Sequence, residues 1–327
     1  MAPRTLGMHI FCSAKGGVGK STLAVATAKL LAEQGHVCVL IDADLTGTSL
    51  GDGLLLRAPE VIADAEGKPD LAKTPTGRFL TREETVRLRR LRGSLSWDNT
   101  QASPPPPFLN DALRYVGEDG GECQVESLLW RHVDDDKVRY LPSSPARRDI
   151  GVALGWLYDE EEFGWIQRMA WLFDGMCEQM PALTDVVVDL PPGLFGFAHQ
   201  MLALTSNLER GVPFPSGYPP WEGKIVWKSN AMLVTTPDRA DLIAAVEYTT
   251  RFREQAGHVR LLLNKSTKMT MSNVKRVLRD QFGDVIAQIP LTPVGEMRST
   301  LGEVFASGTL RMTEEVRELS VALGLGE

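Results

Sequence analysis

At 327 residues, with 43% hydrophobic and 24% charged side chains, the chain has an ordinary globular composition, and no run of about 18 apolar residues marks a membrane-spanning helix. A formal net charge of −7 argues against a protein that coats nucleic acid over its whole surface. Cys12, Cys38, Cys123 and Cys177 are scattered without a Cys-x-x-Cys pair, which supports neither a disulfide framework nor an iron–sulfur or zinc site.

In chain order, the start from Met1 to Gly7 lacks the apolar core of a signal peptide, so a reducing cytoplasm is the expected compartment. The apolar run His9 to Cys12 reads as a strand and Leu23 to Leu31 as a helix. Between them stands Lys15-Gly16-Gly17-Val18-Gly19-Lys20-Ser21-Thr22. Strand, glycine-rich turn and helix N-terminus make a phosphate cradle. Backbone N–H groups of the turn point inward, the helix dipole adds partial positive charge, Lys20 reaches the β- and γ-phosphates, and the Ser21 hydroxyl can ligand Mg²⁺. The strict P-loop pattern begins with glycine, whereas this chain has Ala14 there and a second lysine, Lys15, next to it.

Val37 to Ile41 reads as a buried parallel strand ending in Asp42-Ala43-Asp44, and carboxylates at such an end face the ligand crevice of an open α/β sheet. Thr81-Arg82-Glu83-Glu84 is a capping-box signal for a helix over 82–91 that carries Arg87, Arg89 and Arg90, with Arg92 just beyond. That arginine cluster is either a solvated face or an anion or partner site. The proline-rich stretch 103–107 must be extended and stiff. Tyr140-Leu141-Pro142-Ser143 closes a further strand, and Asp185 to Asp189 is an apolar strand stopped by Pro191-Pro192-Gly193. Gly211 to Trp221 is a loop dense in proline and aromatic residues, including Phe214, Tyr218 and Trp221, and it leads to Ile225-Val226-Trp227. Such rings either fold back on the domain or anchor a protein partner.

Ala231 to Thr235 and Arg260 to Leu263 read as short strands, the second ending in Asn264-Lys265, and Val285 to Ile289 as one ending in Pro290. Eight basic residues and one acid fall between Arg251 and Arg279, and Lys275, Arg276 and Arg279 share one side of an expected helix from Ser272 to Phe282. The last segment, Thr313 to Gly324, is short and acidic, unlike a basic amphipathic membrane anchor.

The segment Lys15 to Thr22, followed in order by Asp42/Asp44, Leu141-Pro142, Asp189, Asn264 and Pro290, resembles the deviant P-loop, KGGxGK[ST], of the MinD/ParA/Mrp group of ATPases, in its ParA/MinD-like branch. The resemblance implies an α/β fold: a doubly wound, mostly parallel sheet with helices on both faces, a single domain over 7–325. It implies Mg²⁺ and ATP as ligands, with Lys15, Lys20 and Asp44 catalytic and Asp44 placing the attacking water. ATP would be bound by Lys15, Gly16, Gly17, Val18, Gly19, Lys20, Ser21 and Thr22, with Asn264 reading adenine and the loop at Pro290 closing over the base. Ser21, Asp42 and Asp189 would serve the metal, Asp189 matching the Walker B acid. It further implies an ATP-bound homodimer in which Lys15 reaches the partner's phosphates, slow hydrolysis raised by an activating or cargo protein, and a positioning or partitioning role.

Against that plan, two insertions are expected, at about 55–122 and about 208–229. The Arg251 to Arg279 stretch is a candidate surface for non-specific DNA, and no direct membrane anchor is expected. Mrp-type cluster carriers need cysteine ligands that are absent. Two other readings stay open: a client-binding or targeting ATPase that grips through the aromatic loop, and a regulatory adaptor whose hydrolysis is dispensable.

Overall fold

The computed structural model describes residues 3–45, 49–65, 67–93, 104, 106–118, 123–158, 164–194, 196–211, 225–252, 259–283, 291–297 and 301–325. In chain order the elements are β1 (Arg4–Ser13), α1 (Lys20–Glu33), β2 (Cys38–Asp42), α2 (Ser49–Gly53), β3 (Leu56–Arg57), α3 (Arg82–Gly93), α4 (Leu109–Glu118), β4 (Trp130–His132), β5 (Val138–Leu141), α5 (Arg147–Tyr158) and α6 (Gly164–Gln179). They continue as β6 (Asp185–Pro192), α7 (Phe197–Arg210), β7 (Ile225–Thr235), α8 (Arg239–Phe252), β8 (Val259–Leu263), α9 (Lys268–Phe282), β9 (Leu291–Pro293), α10 (Leu301–Ala306) and α11 (Glu314–Leu323).

The strands form a nine-stranded sheet in the order β3-β4-β5-β2-β6-β1-β7-β8-β9. From β5 to β9 every pairing is parallel, and only β4 runs antiparallel to its neighbours. β1 lies centrally between β6 and β7. Its alternation is hidden in the sequence because both faces are buried: Leu6, Met8, Ile10 and Cys12 enter the core shared with α4, α6 and α7, and Phe11 enters the core shared with α1, α10 and α11. A continuous apolar run is what a doubly covered parallel strand needs. Consecutive parallel strands put all their carboxyl ends at one edge, where Ser13, Asp42 and Asp189 converge.

Several expected boundaries shift. β7 begins at Ile225, not Ala231, and pairs in register with β1 from Arg4↔Ile225 onward. Trp227, expected among the loop aromatics, is 3% exposed and packs with Phe173 at 6.0 Å between ring centres. It belongs to the core because its strand continues further than its polar neighbours suggest. Of the 208–229 segment, 208–210 close α7 and 225–229 open β7, while Phe214, Tyr218 and Trp221 lie outside the described residues. The expected strand Val285 to Ile289 and Pro290 also lie outside them, and the edge strand that is described is β9.

Within 55–122 the helix starts at Arg82 as its capping box requires, with Thr81 and Glu84 exchanging hydrogen bonds, and runs on to Gly93. Its arginines are not all solvated. Arg92 reaches inward to make a bidentate pair with Asp111 (2.7 and 2.8 Å), a bond to Asp149 (2.8 Å) and one to the Pro106 carbonyl (3.1 Å), with its guanidinium 5.0 Å from the Phe108 ring centre. Arg89 donates to the Gly51 carbonyl. Pro106, Pro107 and Phe108 are buried, and the Pro107 carbonyl accepts from Trp130 Nε1 (2.7 Å); Ser103 and Pro105 lie outside the described residues.

Candidate functional site: a phosphate cradle at the carboxyl edge of the sheet

The turn between β1 and α1 is shaped by glycines whose backbone a side chain would strain: φ is 79° at Gly17 and 89° at Gly19. Gly19 is the N-cap of α1 with no side chain bonded to the first N–H groups, and the first turn holds no acid. The helix therefore presents uncompensated donors and the positive end of its dipole, an arrangement suited to an anion. Gly16–Leu23 line a cleft of about 410 Å³ together with Asp44, Asn264 and Lys265, and with Glu296 and Met297, which sequence reasoning did not single out. No sequence signal marks those last two, because they reach the cleft only through the segment that follows β9.

The acids gather beneath the cradle by strand register. Asp42 pairs with Asp189 across β2 and β6, so their side chains stand side by side where β2 ends. Lys20 Nζ forms an ion pair with Asp189 Oδ1, and the two side chains are 7% and 0% exposed. Burial pushes the Asp189 carboxyl above its ordinary range while the Lys20 ammonium opposes that rise. Asp42, 1% exposed, is pushed up to about 7, first by burial and then by the neighbouring Asp189 and Asp44 carboxylates. Ser143 Oγ donates to Asp42 Oδ2 (3.0 Å) and the Asp44 N–H to Asp42 Oδ1 (3.2 Å).

Three acids around one lysine, with Asp189 Oδ2 buried and lacking a hydrogen-bond partner, fit a divalent cation. Among the described residues no group of three His, Cys, Asp or Glu side chains is arranged to hold a metal alone. The ion's remaining ligands would come from the Ser21 hydroxyl and from phosphate oxygens.

Asp42 has a consequence for stability. A carboxyl whose folded pKa is about 7 binds protons in the native state that it has released in the unfolded chain above its ordinary value of 3.8. Its contribution is therefore fully favourable below about pH 4 and is lost as pH rises through 7. Asp42→Asn should remove this slope, so that wild type minus variant stability falls by a few kcal/mol between pH 4 and 7.5 in metal-free, nucleotide-free protein. Urea titrations at a series of pH values read this directly; parallel pH profiles for the two proteins would contradict it.

The other expected ligands are placed differently from one another. Asn264 is 5% exposed, its Nδ2 donates to the Val18 carbonyl (2.8 Å), and a Cβ on Gly19 would collide with it. It thus props the cradle from below, with Oδ1 buried and without a hydrogen-bond partner. Lys265, expected in the basic stretch, instead reaches the cradle and donates to the Gly17 carbonyl (3.1 Å) from a left-handed backbone at φ 59°. Its neighbour in that stretch, Arg260, turns to the Ala322 carbonyl (3.4 Å). Lys15 is not among the residues lining the cleft: its half-exposed ammonium pairs with Asp241 of α8 at 2.9 Å, and Asp241 also accepts from Thr236 Oγ1 (2.8 Å).

Lys275, Arg276 and Arg279 are exposed on α9, which buries Val274 and Leu278, and among the described residues their side chains have no hydrogen bond or ion pair. Arg253 lies outside the described residues. The apolar face of α11 (Val316, Leu319, Ala322, Leu323) is spent inside, against α1. Among the described residues no helix is long and apolar enough to cross a membrane.

Comparison with known proteins agrees with this fold. A protein-family model described as ParA, NUBPL iron-transfer P-loop NTPase, matches residues 7–72. No curated protein matches the sequence. Solved structures match over the whole length at low identity. A McdA–ATP complex from Cyanothece is 12% identical with a TM-score of 0.55, covering 100% of this chain and 99% of the other. A Borrelia burgdorferi plasmid partition protein bound to AMPPNP is 13% identical with a TM-score of 0.52, covering 99% and 98%. MinD in the Aquifex aeolicus MinC:MinD complex is 14% identical with a TM-score of 0.51, covering 98% and 95%. In its sheet order and helical layers the chain has the fold of these ParA- and MinD-type structures, and over residues 7–72 its sequence is similar to the ParA P-loop NTPase model.

Proposed function

We propose that the chain is a Mg²⁺- and ATP-dependent switch that dimerises with ATP bound, hydrolyses it slowly, and thereby positions or partitions a cargo. The observation that carries this reading is the uncapped N-terminus of α1, with Lys20 held against Asp189 beneath it and Asp44 lining the same cleft. Lys20, freed from Asp189 by an arriving polyanion, is aimed at the β- and γ-phosphates. Bound Mg²⁺ would neutralise phosphate charge, held by Ser21 and Asp189 with Asp42 supporting. Asp44 is 7% exposed and fixed to Asp42 through its own N–H, which suits a carboxylate that orients a water molecule for attack. Asn264 would offer its buried Oδ1 to the adenine amino group, and the loop at Pro290 would close over the base.

Lys15 supports the dimer. It stands outside the cleft of its own chain, held by an acid on an adjacent helix, so its charge is free to serve phosphates brought by a second copy once it leaves Asp241. The exposed trio Lys275, Arg276 and Arg279 is the proposed non-specific DNA surface, with affinity that falls steeply with salt through counterion release.

Asp44→Ala should retain ATP binding and lose at least about a hundredfold in turnover, in line with the removal of a group that acts on the attacking nucleophile. With Mg²⁺ and ATP it should therefore accumulate as a dimer. Size-exclusion chromatography with light scattering decides: a monomer under these conditions, with nucleotide bound, counts against the dimeric switch. Wild-type turnover in Asp44→Ala counts against the assignment of the water-orienting group.

A further inference from the structure

At the opposite end of the strands, β3, β4 and β5 place three arginines in one row. Arg57 is the register partner of Arg131, and Arg131 is the partner of Arg139. Register partners share a face of the sheet with side chains a few ångströms apart, and like charges in that relation destabilise it. The row continues into Val39 and Val186, so it lies on the face that is apolar elsewhere.

Among the described residues, compensation for this row is thin. Arg57 and Arg131 each have a buried Nε without a hydrogen-bond partner. Arg131 has Asp136 at 3.8 Å, an acid 72% exposed, and its guanidinium lies 4.5 Å from the Phe79 ring centre. Arg139 donates to the Asp136 main-chain carbonyl, which carries no formal charge. Burial and then the adjacent Arg131 push the Arg139 guanidinium below its ordinary range, against a smaller opposing pull from Asp136, Asp135 and Glu126.

The row opens on a cavity of about 750 Å³ at the amino ends of β2 and β5. Arg131, Arg139 and Lys137 line it with Phe79, Leu129 and Leu183. His36 and Arg78 add to the basic side, while Glu126 and Asp136 are its acids; Lys137 also pairs with Glu33 (3.2 Å) and Arg78 with Glu60 (3.5 Å). Part of the lining comes from the loop 59–79, a stretch that the phosphate cradle does not use.

We propose that this cavity is a second ligand site, for a small organic anion whose phosphate or carboxylate group lies between the Arg131 and Arg139 guanidiniums. Guanidiniums present fixed forks of donors that match either anion, and the apolar lining suits the remainder of the molecule. The anion would cancel the repulsion between Arg131 and Arg139, the two members of the row that line the cavity. The site lies at the other edge of the sheet from the nucleotide cleft and does not rest on the function proposed above.

The test uses the full chain and two probes, pyrophosphate for phosphate chemistry and citrate for carboxylate chemistry, in calorimetry and thermal unfolding. Sodium chloride at matched ionic strength controls for screening. Lys20→Met separates binding at the P-loop. At least one probe should bind saturably to wild type and to Lys20→Met, and about tenfold or more weakly to Arg131→Gln and to Arg139→Gln. Binding by one probe only assigns the ligand to that chemistry. The proposal is overturned if neither probe binds wild type, if sodium chloride reproduces the stabilisation, if binding is lost only in Lys20→Met, or if both glutamine variants bind as wild type does. Failure of both glutamine variants to fold also overturns it, because the row would then serve packing through its aliphatic stems.

Discussion

Lys20→Met should lose measurable ATP binding while the fold is retained. Among the described residues the ammonium is the one cation paired with Asp189, and it emerges from the first residue of α1, where the helix dipole and the free N–H groups already favour a polyanion. Removing a point charge aimed at two phosphates forfeits charge-assisted hydrogen bonds of about 1.5–3 kcal/mol each, so affinity should fall by two orders of magnitude or more. The substitution has a second effect. Breaking a buried pair by deleting one partner strands the other, at about 3–5 kcal/mol if the remaining group stays charged. Asp189 is already pushed towards its neutral form by burial, so it should take up a proton and soften that penalty. Met, which fills the volume of the lysine stem, should therefore leave a folded protein whose stability falls as pH rises. Calorimetry with ATP and Mg²⁺ at neutral pH measures the first effect and urea unfolding from pH 5 to 8 the second; wild-type affinity in a folded variant would refute the role of Lys20.

Arg92→Ala should be the most damaging substitution outside the nucleotide site. Arg92 joins three separate pieces of chain, α3, α4 and α5, through Asp111, Asp149 and the Pro106 carbonyl, and its side chain is 12% exposed. Alanine leaves two carboxylates facing a cavity without a cation, and a loss of about 3–5 kcal/mol follows. Asp111 also accepts from the Phe108 N–H (2.8 Å), so the start of α4 should loosen as well. A triple replacement, Arg92→Met with Asp111→Asn and Asp149→Asn, removes all three charges together and should recover much of the loss, since an intact buried ion cluster contributes little net stability relative to a neutral one. Urea unfolding of both proteins distinguishes the cases. Equal destabilisation by the single and triple changes would show that packing over Phe108, not stranded charge, is what Arg92 contributes.

Local sequence was sufficient for whatever depends on neighbours in the chain. The strand before Lys15, the helix after Ser21, the capping box at Thr81 and the acid closing β2 were all legible, because periodicity, glycine conformational freedom and N-capping act within a few residues, whereas β6 runs past Asp189 to Pro192. So was the ParA/MinD-type fold, since six ordered motifs constrain one topology. Tertiary structure alone decided which charges face one another. Arg92 and its neighbours on α3 look alike in sequence, yet one is buried among carboxylates while Arg87 and Arg90 border solvent, because the helix phase relative to α4 and α5 is set by packing. Lys265 and Arg279 belong to the same basic stretch, but one reaches Gly17 and the other lies exposed on α9. Trp227 reads as a loop aromatic until strand register carries β7 past it. The Arg57, Arg131 and Arg139 row has no sequence signature at all, for its members are 74 and 8 residues apart in order and adjacent only through cross-strand pairing. Pairings between distant strands are fixed by the burial of both sheet faces together, a quantity that no local window contains.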